Sequence, residues 1–197
     1  GGGSDPADTD TLYAEDWNDL VEYVLSIPKP LAGNLKILYE GDAGDLIPNL
    51  PSDYLTLLSI SDTDVAVGDT FQFTLHGVMH NTSGSGETFF MQFGTSGLQI
   101  QLQSATVSNN ANRSIFTALG LIKIFSSSVA VVTLEMSVAV GGNNNVSTTR
   151  TMRQSTNINT SIDLTGSRTI NLQARIGNTV TGYNIYPMYA QVIKTST

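Results

Sequence analysis

The chain has 197 residues and no cysteine. That absence excludes a disulfide scaffold, a thiolate metal site and a thiol nucleophile together. Charge is also scarce, at 13% of residues, and only nine side chains are Lys or Arg. Neutralising a phosphate backbone takes clustered cations, so the composition argues against a nucleic-acid partner. No apolar run approaches the roughly 18 residues that a membrane-crossing helix needs, and the N-terminus lacks the basic-then-apolar layout of a secretory leader. We expect no membrane insertion and no cofactor.

The charge that is present is unevenly placed. Residues 1–64 hold thirteen acidic against two basic side chains, a balance of −11, and residues 65–197 hold four against seven, a balance of +3. The acidity therefore belongs to one end. The remainder is nearly neutral and polar, and the whole chain holds 23 Thr, 20 Ser and 15 Asn, residue types that suit exposed strand faces and turns better than helices.

Three regions follow. Residues 1–11, opening on Gly1-Gly2-Gly3-Ser4, read as a flexible tether or linker. Residues 12–30 predict one short α-helix, because Trp17, Leu20, Val21, Val24 and Leu25 recur at helical spacing and Pro28 and Pro30 stop the pattern. So short a helix is marginal alone, so its apolar stripe must meet the main body, a symmetry mate or both, and it is taken as an attachment and oligomerisation surface. Residues 31–197 form the body. From Asp69 onward the period is two: Phe71, Phe73, Leu75 and Met79 alternate with polar residues, as do Leu98, Ile100 and Leu102, and again Ile170, Leu172, Ala174 and Ile176. Turn residues at 81–86, 94–97, 108–113, 141–145, 165–167 and 177–182 separate the strands. The expectation is a mainly β protein, an antiparallel jelly-roll-like sandwich of eight to ten strands behind one N-terminal helix.

Three stretches break the alternation. Ile115 to Phe125 and Tyr183 to Lys194 are apolar on both faces, and Val129 to Val140 is nearly as continuous. In a small sandwich the outer face of a strand is wet, so a second covering surface is expected, and a symmetric homo-oligomer supplies it with one operator.

The order Trp17-Asn18 helix, Pro28 to Leu31 step, strand Leu35 to Tyr39, Val67-Gly68-Asp69-Thr70-Phe71 strand opener and late Thr169 to Ala174 run resembles the jelly-roll head domains of bacteriophage tail fibres, tailspikes and head fibres. The resemblance runs from about residue 12 to the end. It implies a homotrimeric virion structural protein at the particle surface, bound to other virion proteins through its N-terminal segment and facing a host cell-surface glycan or protein. It carries over no catalytic residue.

Polar loop tips are the candidate recognition residues: Asn81, Thr82 and Ser83; Asn109, Asn110, Asn112 and Arg113; Asn143, Asn144 and Asn145. Hydrolysis needs two facing carboxylates, but beyond Asp69 the body offers only Glu87, Glu135 and Asp163, in separate segments, so no enzyme is expected. His76 and His80 lie on one strand about 13 Å apart, too far to chelate one metal ion, and read as solvated or interface residues. Asp42, Asp45, Asp53, Asp62 and Asp64 read as a solvated acidic collar. The alternative function is a monomeric, non-catalytic carbohydrate-binding sandwich of a secreted bacterial protein.

Overall fold

The period-two segments become strands because each can bury one row of side chains while the other row meets solvent. The computed structural model describes residues 34–107, 110–142, 145–159 and 163–197. In chain order the strands are β1 (Asn34–Gly41), β2 (Leu55–Val65), β3 (Thr70–Asn81), β4 (Glu87–Thr95), β5 (Leu98–Val107), β6 (Asn110–Ser126), β7 (Val129–Gly142), β8 (Asn145–Asn159), β9 (Gly166–Ile176) and β10 (Tyr183–Ser196). The helix expected over residues 12–30, with Trp17, Leu20, Val21, Val24 and Leu25, lies outside the described residues.

All pairings are antiparallel. Six strands form one sheet in the order β1-β10-β3-β6-β7-β8, and four form a second in the order β2-β9-β4-β5. The pairs β4–β5, β3–β6, β2–β9 and β1–β10 are nested one inside the next. The innermost turn is Ser96-Gly97, where Thr95 pairs with Leu98 and Gly97 takes φ +78°. A long hairpin wound so that successive pairs fall in opposite sheets is the jelly-roll arrangement. The β7–β8 hairpin, inserted between β6 and β9, widens the larger sheet by two strands.

The inner faces share one core. In β3, Phe71, Phe73, Leu75 and Met79 are buried, and from the opposite sheet Phe89, Met91 and Phe93 meet them. The sheets interlock through aromatic rings. Phe73 and Phe93 stand edge to face with centroids 5.0 Å apart, and Phe89 lies 5.7 Å from Phe116. Gly120 makes room for this contact, since a Cβ there would stand 2.7 Å from the Phe93 ring. Gly77 does the same for the Phe116 ring, at 2.5 Å.

β10 is an interior strand, yet it contains Pro187, which has no N–H for the ladder. The register shifts between Pro187 and Tyr189, so a bulge absorbs the missing donor and leaves Met188 outside the pairing. Residues 110–113, read from sequence as part of a turn, belong to β6. Ile115 to Phe125 is buried on one face only in the single chain, with Ile115, Leu119 and Phe125 exposed.

Candidate functional site

The two outer sheet faces differ in chemistry. On the six-stranded sheet, Val78 of β3 stands opposite Ile115 of β6 and Tyr186 of β10, which gives one apolar row across three strands. Ile115 is 62% exposed, Leu119 39% and Met188 61%. A groove of about 280 Å³ beside this row is lined by Leu46, Val78, Tyr186, Pro187, Met188 and Asp42. Between the apolar residues stand polar ones. His76 Nδ1 lies 3.2 Å from Thr117 Oγ1, and Tyr189 Oη donates to Glu40 Oε1 at 3.1 Å. Partial burial together with the Glu40 contact raises the Tyr189 pKa.

On the four-stranded sheet the outward side chains are mostly hydroxyls and amides, with Arg175 and Phe90 standing among them. Register places Thr56, Gln173, Gln92 and Gln101 in one row across β2, β9, β4 and β5. The next row runs Ser59, Asn171, Gly94, Gln99, and the row on the other side pairs Arg175 with Phe90 and Phe90 with Gln103. Neighbouring side chains fix one another: Gln92 donates to Gln99 at 2.8 Å, Gln173 to Thr56 at 3.2 Å, and Ser59 to Asn171 at 2.7 Å. The Arg175 guanidinium lies 4.0 Å from the Phe90 ring centroid and 5.1 Å from that of Tyr54. One of its N–H groups donates to Ile176 O at 3.3 Å.

Where β2 and β10 end, a charged group is buried. Lys194 Nζ lies 2.9 Å from Asp62 Oδ2 and 2.9 Å from Asp69 Oδ2, and donates to Asp64 O at 2.8 Å. An ammonium has three protons, and three oxygens surround it. Asp69 also accepts from Ala66 N, and Asp62 from Asp64 N. Burial pushes the Asp62 pKa up, but the Lys194 and Asp64 contacts outweigh it and hold the carboxyl below its ordinary value. Burial likewise pushes Lys194 down, and the bonds to Asp62 and Asp69 carry it above the usual lysine value. Asp62 is thus a buried ion-pair member and not part of a solvated collar, because a charge removed from water requires such a partner.

The sequence-derived candidates fare differently. Asn81 is 2% exposed. Its amide donates to Ser85 O at 2.9 Å and Val107 O at 3.0 Å, and its oxygen accepts from Ser83 N at 3.0 Å. It shapes the β3–β4 turn and is not a surface contact, since its hydrogen-bonding capacity is spent on the turn. Thr82 is exposed and Ser83 half-buried. Asn110, Asn112 and Arg113 sit in β6, and Asn145 opens β8. Asn109, Asn143 and Asn144 lie outside the described residues. The carboxylates expected to be separate stand on β4, on β7 and in the turn before β9. Glu87 is buried and accepts from Ser85 at 2.9 Å, while Asp163 accepts from Thr165 N and Oγ1, which lowers its pKa. Among the described residues, no cluster of three or more His, Asp or Glu is placed to hold a metal ion. Sequence reading missed the Lys194 cluster and the Arg175 stack, both assembled from strands far apart in the chain.

No protein-family model matches the chain, and no curated protein matches it. Solved structures of infectious bursal disease virus are similar to it. The Gt strain structure is 13% identical, covers 84% of this chain and 34% of that one, and gives a TM-score of 0.38. Virus-derived T=1 particles give 12% identity, 84% and 32% coverage and a TM-score of 0.41. The VP2 subviral particle gives 11% identity, 84% and 34% coverage and a TM-score of 0.39. The chain spans about a third of the length of these chains.

Proposed function

We propose that the chain is a non-enzymatic virion structural protein, the jelly-roll head domain of a phage fibre, spike or head fibre, assembled as a homotrimer. The observation that carries this reading is the apolar row Ile115–Val78–Tyr186, with Leu119 and Met188 exposed nearby. The outer face of a stand-alone antiparallel sheet is normally wet, and exposed apolar surface of this kind answers to a partner. A closed three-fold arrangement covers the same face on every copy with a single contact. In this reading the acidic N-terminal segment joins other virion proteins, and the remaining polar surface serves host adhesion or decoration.

Sedimentation equilibrium tests the assembly. The wild-type chain is expected to be trimeric at micromolar concentration. The Ile115→Lys/Leu119→Glu double variant is expected to be monomeric with an unchanged far-ultraviolet circular dichroism spectrum, because both side chains already face outward, and to melt lower by the lost association energy. A wild-type monomer at that concentration refutes the trimer and favours the alternative, a monomeric carbohydrate-binding module. Electron microscopy of the parent particle with a specific antibody tests the virion placement.

A further inference from the structure

The outer face of the four-stranded sheet lies across the sandwich from the proposed assembly contact. We propose that it is a binding site for an acidic oligosaccharide, with a sugar carboxylate on Arg175 and sugar hydroxyls on the row Thr56–Gln173–Gln92–Gln101. The assignment does not depend on whether the chain is a trimer or a monomer.

Charge argues first. Arg175 carries five N–H donors, and one N–H···O contact, to Ile176 O at 3.3 Å, ties it to the protein. Among the described residues no carboxylate forms an ion pair with it; the ion pairs shown are those of Lys194. The guanidinium is nonetheless held in place, 4.0 Å from the Phe90 centroid and 5.1 Å from that of Tyr54. Stacking on aromatic rings fixes the plane of a guanidinium without consuming its N–H edge. A fixed planar cation with donors to spare matches a carboxylate, which it can take with two parallel bonds. Among the described residues the Tyr54 hydroxyl, on the second ring that flanks the guanidinium, is buried without a hydrogen-bond partner.

The rest of the face indicates a sugar rather than a peptide or a phosphate. Beside Arg175 and Phe90 come Gln173 and Gln92, and beyond these Asn171 and the bare position Gly94. These three rows of a four-stranded sheet form a field about 14 Å by 13 Å, from a strand spacing of ~4.8 Å and a two-residue repeat of ~6.7 Å. Within it stand no acidic side chain and no cation other than Arg175. Amides both donate and accept, as sugar hydroxyls do, and the Gln92–Gln99 and Gln173–Thr56 bonds hold them in position before a ligand arrives. A phosphate site would gather several cations, and a peptide that extended the sheet would need a free strand edge rather than a face.

The test uses the full chain and three probes: 3′-sialyllactose, tetragalacturonate, and lactose as the neutral control. Two-dimensional amide NMR titration gives affinities and maps the contact. At least one acidic probe is expected to bind, to shift the amides of residues 90–92 and 173–175, and to exceed lactose in affinity tenfold or more. Arg175→Gln should remove that preference. Gln101→Glu changes an exposed side chain, so folding is spared, and it should weaken the acidic probe about twofold through like-charge repulsion across roughly 12 Å of solvated face. The Ile115→Lys/Leu119→Glu variant should bind as the wild type does. The proposal is overturned if neither acidic probe binds, if lactose binds equally well, if the shifts map elsewhere, or if Gln101→Glu leaves the affinity unchanged.

Discussion

Replacing Lys194 with methionine removes one ammonium and keeps most of its aliphatic stem beside Phe71, whose ring centroid is 5.5 Å from Nζ. What remains is the carboxylates of Asp62 and Asp69, 8% and 1% exposed, with no counter-charge between them. Breaking a buried ion pair from one side costs about 3–5 kcal/mol. Each carboxylate keeps one backbone N–H, from Asp64 or Ala66, so the lower half of that range applies. In a domain of this size a loss of about 3 kcal/mol lowers Tm by roughly 6–12 °C. Urea unfolding at neutral pH measures it. Two further arms isolate the cause. Adding Asp62→Asn to Lys194→Met should recover part of the loss, since it removes one of the stranded charges. The penalty should also shrink as pH falls toward 4, where the stranded carboxylates take up protons. In the wild type the cluster stabilises across a plateau. Asp62, held below its ordinary 3.8, contributes above that pH and loses its contribution as pH falls through the lowered value. Lys194, held above 10.5, contributes below that pH and loses its contribution as pH rises through the raised value. A Lys194→Met chain within about 1 kcal/mol of wild type, or a double variant no better than the single, would refute the reasoning.

Three further outcomes are expected. Gly120→Ala places a methyl 2.7 Å from the Phe93 ring and should cost about 1–3 kcal/mol in chemical denaturation, because the ring is already packed edge-on against Phe73. Asn81→Leu strips the Ser85 and Val107 carbonyls of their donor and should cost about 2–3 kcal/mol, with the largest rise in amide exchange in the β3–β4 turn. Tyr183 is fully buried beside Met79, and burial, with the Glu87 charge, raises its pKa above the ordinary 10.0. The unfolded chain gives up that proton more readily, so stability should fall as pH rises above 10.0, and tyrosinate absorbance should show one phenol that ionises only on unfolding.

The sandwich was legible wherever burial follows a local rule. β3, β5 and β9 were readable because Phe71 to Met79, Leu98 to Leu102 and Ile170 to Ile176 repeat every second residue. β8 was not, because Asn145 to Asn159 is dominated by Ser, Thr, Asn, Gln and Arg and lies at a sheet edge, where only one neighbour needs to be matched. The doubly apolar run Ile115 to Phe125 signalled a surface that one chain does not cover, and its outward residues are exposed. The Lys194 cluster left no trace, because Lys194 and Asp64 lie 130 residues apart and each reads as an ordinary charge. Arg175 was hidden in the same way: alternation marked it as one more polar position, and only the register with Phe90 shows its stacking.

The nested winding also governs when the molecule can become stable. β10 is seated between β1 and β3, so the last of the ten described strands becomes an interior member of the larger sheet. During synthesis the inner pairs β4–β5 and β3–β6 can form early, but β1 must wait for a partner made only after β2 to β9. Folds dominated by such distant pairings are slow, on the order of milliseconds to seconds. Until β10 arrives, Phe71, Phe73 and Leu75 are left with an unpaired flank, a state prone to aggregation. A chain cut just before Tyr183 would lose the whole of β10 and with it the strand that joins β1 to the rest, so the winding itself screens out chains cut there.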